Sequence, residues 1–191
     1  DLLVTVFRKK RIIEIVTICS ASLILIQVFF ILSTIINEKT LSAFGNAFYI
    51  DSFGAVILLP ISIVGFVSVL YSKNYMGRQY DIGLVDDKHI VRYYQGLSIF
   101  LLSMLVVPIT NNLGVMWVTV EATTLVSVLL IMLYFKENAI EAAWKYLIIA
   151  TVGLSFALIG TVFFYYANIN AGSSEDAMNW TGMVHNSKLF D

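Results

Sequence analysis

Two ionisable side chains stand inside apolar sequence: Glu121 in LGVMWVTVEATTLVSVLLIMLYF and Lys145 in EAAWKYLIIATVG. A charge-bearing group within a membrane-spanning segment is costly and rare, so each is a functional candidate by default. Glu121 lies about eight residues past the start of its segment, roughly 12 Å deep at about 1.5 Å per residue. A glutamate does not reach the headgroups from that depth and must be protonated, hydrated or paired. Trp117 at i−4 and Thr124 at i+3 share its helical face, and the Thr124 hydroxyl is a candidate partner. Lys145 lies within about 8 Å of the end of its segment, where an ammonium can snorkel to headgroup level. Glu141 precedes it by four residues, in the order that favours an ion pair. About 10 Å of depth separates Glu121 from Lys145, so no direct pair between them is expected. The residue types leave two readings open. Glu121 and Lys145 carry a proton or ion pathway supported by Thr124 and Glu141, or they only hold helices together.

Little other chemistry is on offer. The sequence has no phosphate-cradling glycine loop, no His-x-x-x-His pair and no nucleophile constellation, so catalytic residues, a metal and a cofactor are not expected. Cys19 is the single cysteine and sits in an apolar run, where it reads as a small packed or lipid-facing side chain. His89 and His185 lie outside the apolar segments. A net charge of −1 gives no basis for nucleic-acid binding.

The elements that must position Glu121 and Lys145 are membrane helices. Of the 191 residues, 59% are hydrophobic and 13% charged, against roughly 25% charged in soluble domains. The charges also cluster between apolar runs. A bilayer core needs about 20 helical residues, and five stretches qualify: 12–36, 51–71, 92–110, 113–135 and 142–167. The expected class is an all-α integral membrane protein, a single region over 1–191 with five transmembrane helices. Pro108 and the Thr110-Asn111-Asn112 turn make spans three and four a tight hairpin, because an unsatisfied bend within lipid is not tolerated.

Basic residues set the expected orientation. Arg8, Lys9, Lys10 and Arg11 precede span one, Lys73, Arg78, Lys88 and Arg92 follow span two, and Lys136 follows span four. The alternate connections hold Lys39, no basic residue and Lys188, which places the N-terminus inside and the 168–191 tail outside. Tyr71, Tyr75, Tyr93, Tyr94, Trp144, Tyr146, Tyr165 and Tyr166 fall near span boundaries, as amphipathic rings do. Residues 72–91 read as a charged inner loop, either solvated or contacting a soluble partner. The small residues Ala150, Gly153, Ala157 and Gly160 share one face of span five and read as a packing stripe. The chain opens on Asp1 without a cleavable signal and is expected to begin partway through a larger protein.

NNLGVMWVTVEATTLVSVLLI followed by EAAWKYLIIATVGLSFALIGTVFFYY resembles the antiporter-like proton-translocating subunits of respiratory complex I. The likeness is strongest to the large membrane subunits of energy-converting, group 4 nickel-iron hydrogenases, and FYIDSFGAVILLPISIVGFVSVLYSKNYM resembles the segment that precedes that core. The resemblance covers nearly all of this chain but only about the first third of such a subunit, a bundle of about 14 helices built on two inverted five-helix repeats. It implies that span one is the family's second helix and that Glu121 matches the glutamate of the fifth. Lys145 matches the lysine opening the sixth, while the central lysine of the seventh has no counterpart here. It further implies a subunit in the prokaryotic cytoplasmic membrane that works with other membrane subunits of a redox complex. The redox chemistry belongs to those partners and no cofactor binds here. A non-transporting scaffold within such a complex is the alternative.

Overall fold

A computed structural model describes residues 10–134, 137–170 and 177–186. Five of its helices are long and apolar enough to cross a membrane. In chain order they are α1 (Lys10–Glu38), α2 (Ser52–Asp81), α3 (Asp87–Val106), α4 (Leu113–Ile131) and α5 (Glu137–Asn170), with a short α6 (Trp180–Asn186) after them. The protein is an all-α, multi-pass membrane bundle. The predicted spans fall mainly on these helices, but the third (92–110) runs past the end of α3 at Val106 and the fourth (113–135) past the end of α4 at Ile131, with residue 135 outside the described residues. The helix of the second span continues ten residues past Tyr71 to Asp81, so most of the expected 72–91 loop is helical. Hydropathy marks where lipid stops, whereas helix length follows backbone hydrogen bonding, which polar residues such as Lys73, Arg78 and Gln79 sustain. Asp86 caps α3 by accepting the His89 backbone N–H at 2.9 Å. That bond, with a second from the His89 ring, holds the Asp86 carboxyl below its ordinary range.

The turn between α3 and α4 falls where the sequence placed it. Pro108 has no N–H to donate, and the chain tightens into a 3₁₀ turn over Val107–Ile109. Asn112 then caps α4, its Oδ1 accepting from Gly114 N at 3.0 Å and Val115 N at 3.1 Å. The connection between α1 and α2 was not foreseen: it is an antiparallel β-hairpin of β1 (Leu41–Ala43) and β2 (Phe48–Ile50). Its loop runs through Phe44, Gly45 and Asn46 at φ of 53°, 63° and 68°, a left-handed path that only Gly45 takes without strain.

Asn111 closes this end of the bundle. It is 1% exposed, and its Nδ2 donates to Asn46 O at 2.9 Å and Thr181 Oγ1 at 3.0 Å. Its Oδ1 accepts the Thr181 N–H at 3.1 Å. The described part of the tail, 177–186, is therefore folded back onto the α3–α4 turn rather than loose. Asn168 at the end of α5 donates to Ala177 O at 3.0 Å and accepts from Asn186 Nδ2 at 3.0 Å.

The opposite, basic end holds the main core. Ile13, Met76, Val85, Ile90, Tyr94 and Leu133 are packed together there, and Ala21, Val69 and Leu97 form a second layer. Helix α1 lies along α2, α3 packs on both, α4 on α3 and α5 on α4. Small residues let the helices close up: a Cβ on Gly65 would stand 2.9 Å from Leu101 Cδ2, and one on Gly96 2.9 Å from Leu130 Cδ2. The outward surface is apolar, with Phe30, Ile36, Ile149 and Phe156 all exposed. The small-residue stripe on α5 is not a packing face among the described residues. Gly153 and Gly160 have open space where a Cβ would stand, and Ala157 is exposed.

Candidate functional site

The Asn112 cap fixes where α4 begins, and from there Trp117, Glu121 and Thr124 fall on one face at i, i+4 and i+7. That face meets α5, and polar contacts run along the seam. Trp117 Nε1 donates to Leu154 O at 2.8 Å. Thr151 Oγ1 donates to Glu121 Oε1 at 3.5 Å. Ser127 Oγ bonds Tyr146 Oη at 3.2 Å. Position numbers rise on α4 as they fall on α5, which is the register of two antiparallel helices.

Glu121 is half-buried, and its second oxygen, Oε2, is buried with no hydrogen-bond partner. Among the described residues its one side-chain hydrogen bond is long, so the carboxyl group keeps lone pairs for a proton, a water or a cation. Among the described residues no basic side chain pairs with it. Thr124 is the candidate hydroxyl partner for this carboxyl. Its Oγ1 instead donates to the Glu121 backbone carbonyl at 2.7 Å, the back-bonding that a helical threonine makes when nothing else competes.

Thr151 takes the role instead. Counting equal steps away from the break between α4 and α5 lands within a turn of it, a signal that the sequence held.

Lys145 and Glu141 pair with each other at 2.5 Å, with side chains 71% and 64% exposed. They do not join Glu121. Lys145 precedes Thr151 by six residues, about 9 Å along the helix, so the expected separation holds in three dimensions. The helix also starts at Glu137, upstream of the predicted 142. Among the described residues no group of three or more His, Cys, Asp or Glu is placed to hold a metal ion.

A second enclosed carboxyl escaped the sequence reading. Glu14 lies inside predicted span one, close behind the basic run, and is 7% exposed.

Residues 110–187, which contain all four candidate positions, match the family described as NADH:quinone oxidoreductase/Mrp antiporter, TM. The chain is 32% identical over 148 residues to a hydrogenase-4 component F homolog of Methylacidiphilum infernorum, covering 77% of this chain and 31% of that protein. It is 30% identical over 148 residues to NADH-quinone oxidoreductase subunit L of Buchnera aphidicola, covering 75% and 22%. It is 32% identical over 129 residues to NADH-ubiquinone oxidoreductase chain 5 of Cryptococcus neoformans, covering 66% and 18%. The chain thus spans less than a third of the length of these relatives.

Proposed function

Given that the chain belongs to the superfamily of antiporter-like membrane subunits shared by NADH:quinone oxidoreductases, Mrp antiporters and hydrogenase-4 complexes, we propose that it translocates protons or other cations within a redox-driven complex. Glu121 is the group that holds and releases the transported ion. The observation that carries this reading is the half-buried carboxyl group with a buried, unpartnered Oε2. An acid used only as a brace between helices would have both oxygens occupied, because a buried polar atom without a partner is costly.

The proton sits on a Glu121 oxygen. A positive charge brought near favours the carboxylate and expels the proton, and withdrawal of that charge lets the group reload. Thr151 orients the carboxyl, and Thr124 supports the helix at the same level. The Lys145–Glu141 pair provides charge farther along α5, where the Tyr146–Ser127 contact is the next polar step toward Glu121. The electrons pass through other subunits of the complex, and this chain carries no redox cofactor of its own. Its basic end faces the inside of a prokaryotic cytoplasmic membrane, with the asparagine-closed end and the tail outside.

The test is Glu121→Gln in the full-length subunit, with its whole complex reconstituted in vesicles. Electron transfer persists while proton pumping falls about a hundredfold or more, the scale on which removing a proton-transfer group acts. A non-transporting scaffold is the second reading, favoured by the Trp117–Leu154 and Thr151–Glu121 bonds that tie α4 to α5. Glutamine preserves the shape and an acceptor oxygen, so a scaffold would pump as before. Undiminished pumping at normal electron transfer would rule out the transport role.

A further inference from the structure

Helices α3 and α4 leave a groove of about 400 Å³ between them toward the basic end of the bundle. Its α3 wall carries Arg92, Gln95, Gly96 and Ile99, at i, i+3, i+4 and i+7, the spacing of one helix face. Leu129 and Leu130 stand in the α4 wall. The helices close up at Gly96, where a Cβ would stand 2.9 Å from Leu130 Cδ2. Ile99 and Leu129, on the same two walls, are 53% and 65% exposed. The groove is thus shut toward the core and open toward the outside of the bundle. Leu130 points about half a turn around α4 from Glu121, so the groove is separate from the α4–α5 seam.

The lining changes character along its length. Arg92 lies at one end, about 10 Å along the axis from Ile99, and Lys88 precedes it by one turn on the same face. Neither cation has an ion pair among the described residues. The carboxyl groups at the start of α3 do not answer them: Asp86 is bonded to the His89 ring at 2.6 Å, and Asp87 is exposed. Beyond Gln95 both walls are apolar. A cation at one end and hydrocarbon along the rest complement a lipid with a negative head. The apolar walls do not choose the occupant, because lipid tails are as apolar as leucine and little is gained by exchanging one for the other. The charge makes the choice. A guanidinium offers five donors in a fork that matches phosphate oxygens, and basic pockets between membrane helices take anionic headgroups. A zwitterionic head brings its own cation beside the phosphate and gains less from Arg92. A protein helix in the groove would have to bring Arg92 a carboxylate.

We propose that the α3–α4 groove binds an anionic phospholipid. Its phosphate rests on Arg92 and Gln95, Lys88 adds positive potential at the same end, and one acyl chain lies along Ile99 and Leu129 over the Gly96–Leu130 contact. The site stands independently of Glu121, and its test reads lipid rather than pumping.

Photo-crosslinking in vesicles tests the site. The whole complex, carrying the full-length subunit, is reconstituted in phosphatidylcholine doped with a probe lipid bearing a diazirine on its acyl chain. The probe is phosphatidylglycerol in one sample and phosphatidylcholine in the other, and adducts are mapped by peptide mass spectrometry. Adducts on Ile99 or Leu129 form about fivefold more often with the phosphatidylglycerol probe, the scale of one basic group near an anionic lipid. Arg92→Gln brings the two probes level, and Arg92→Lys keeps most of the preference. Equal labelling by both probes in the unaltered subunit overturns the proposal. So does an absence of groove adducts while other residues of the complex are labelled, since a protein segment then fills the groove. If Arg92→Gln does not assemble, the ratio of the two probes on the unaltered subunit decides alone.

Discussion

Glu121 and its neighbours illustrate how much a single hydroxyl's direction matters. Thr124 and Thr151 are both within reach of this part of the seam, yet Thr124 is committed to the helix backbone and Thr151 to the carboxyl group. The two substitutions therefore separate. Thr151→Val removes the one hydroxyl that reaches the carboxyl among the described residues and slows pumping about two- to fivefold, equivalent to about 0.5–1 kcal/mol for a long hydrogen bond. Thr124→Val changes it by less than about twofold, since its lost bond is a local back-bond to a carbonyl that the helix already uses. Proton uptake per electron transferred, measured in vesicles, reads both. Equal losses would place the hydroxyl contact elsewhere. Glu121 stood out in the sequence because a charge among apolar residues is visible without any structure. Thr151 did not, because a threonine in a membrane helix is ordinary until its opposite number is known.

Among the elements, one close joint is where α2 starts against the turn after α3. Asp51 caps α2 by accepting the Gly54 N–H at 2.7 Å, and a Cβ on Gly54 would stand 2.8 Å from the Pro108 carbonyl oxygen. Backbone cannot swing aside as a side chain can. Gly54→Ala therefore destabilises the bundle by about 1–3 kcal/mol, the range for overpacking. Gly65→Ala meets only the flexible end of Leu101, and its better helix propensity, worth up to about 1 kcal/mol, offsets most of the contact. Thermal unfolding in detergent should show a clear drop for the first substitution and little change for the second. Similar midpoints would refute the contrast. The sequence marked the hairpin at Thr110-Asn111-Asn112, since proline and asparagine advertise turns locally. It did not mark Asn111 as the clasp for the β-hairpin and α6, because those partners are 65 and 70 residues away in sequence.

For the molecule as a whole, the proposed orientation follows from charge. Lys73, Arg78, Lys88 and Arg92 lie toward one end, while Lys39 lies toward the other. In a Cys19→Ser background, an impermeant maleimide applied to intact cells should label a Ser42→Cys variant in β1 and spare a Leu84→Cys variant between α2 and α3. Both positions are exposed, so accessibility across the membrane decides the result, and the opposite labelling pattern would invert the assignment. The broad apolar surface of α5, with Ala143 and Asn168 its buried residues, agrees with a helix whose remaining faces meet lipid or other membrane segments.

Membrane class, five spans, the α3–α4 hairpin and the separation of Glu121 from Lys145 were all present in the order of residues. Each is a sum or a spacing along one axis: hydropathy over about 20 residues, charge between segments, rise per residue within a helix. Rotation of each helix about its own axis and the register between helices are not fixed by such sums. They decided that Thr151 faces Glu121, that Glu14 is buried on α1, and that Gly153 and Gly160 look outward. The physical reason is that burial and hydrogen bonding depend on which faces meet, and those faces are chosen by packing among distant segments.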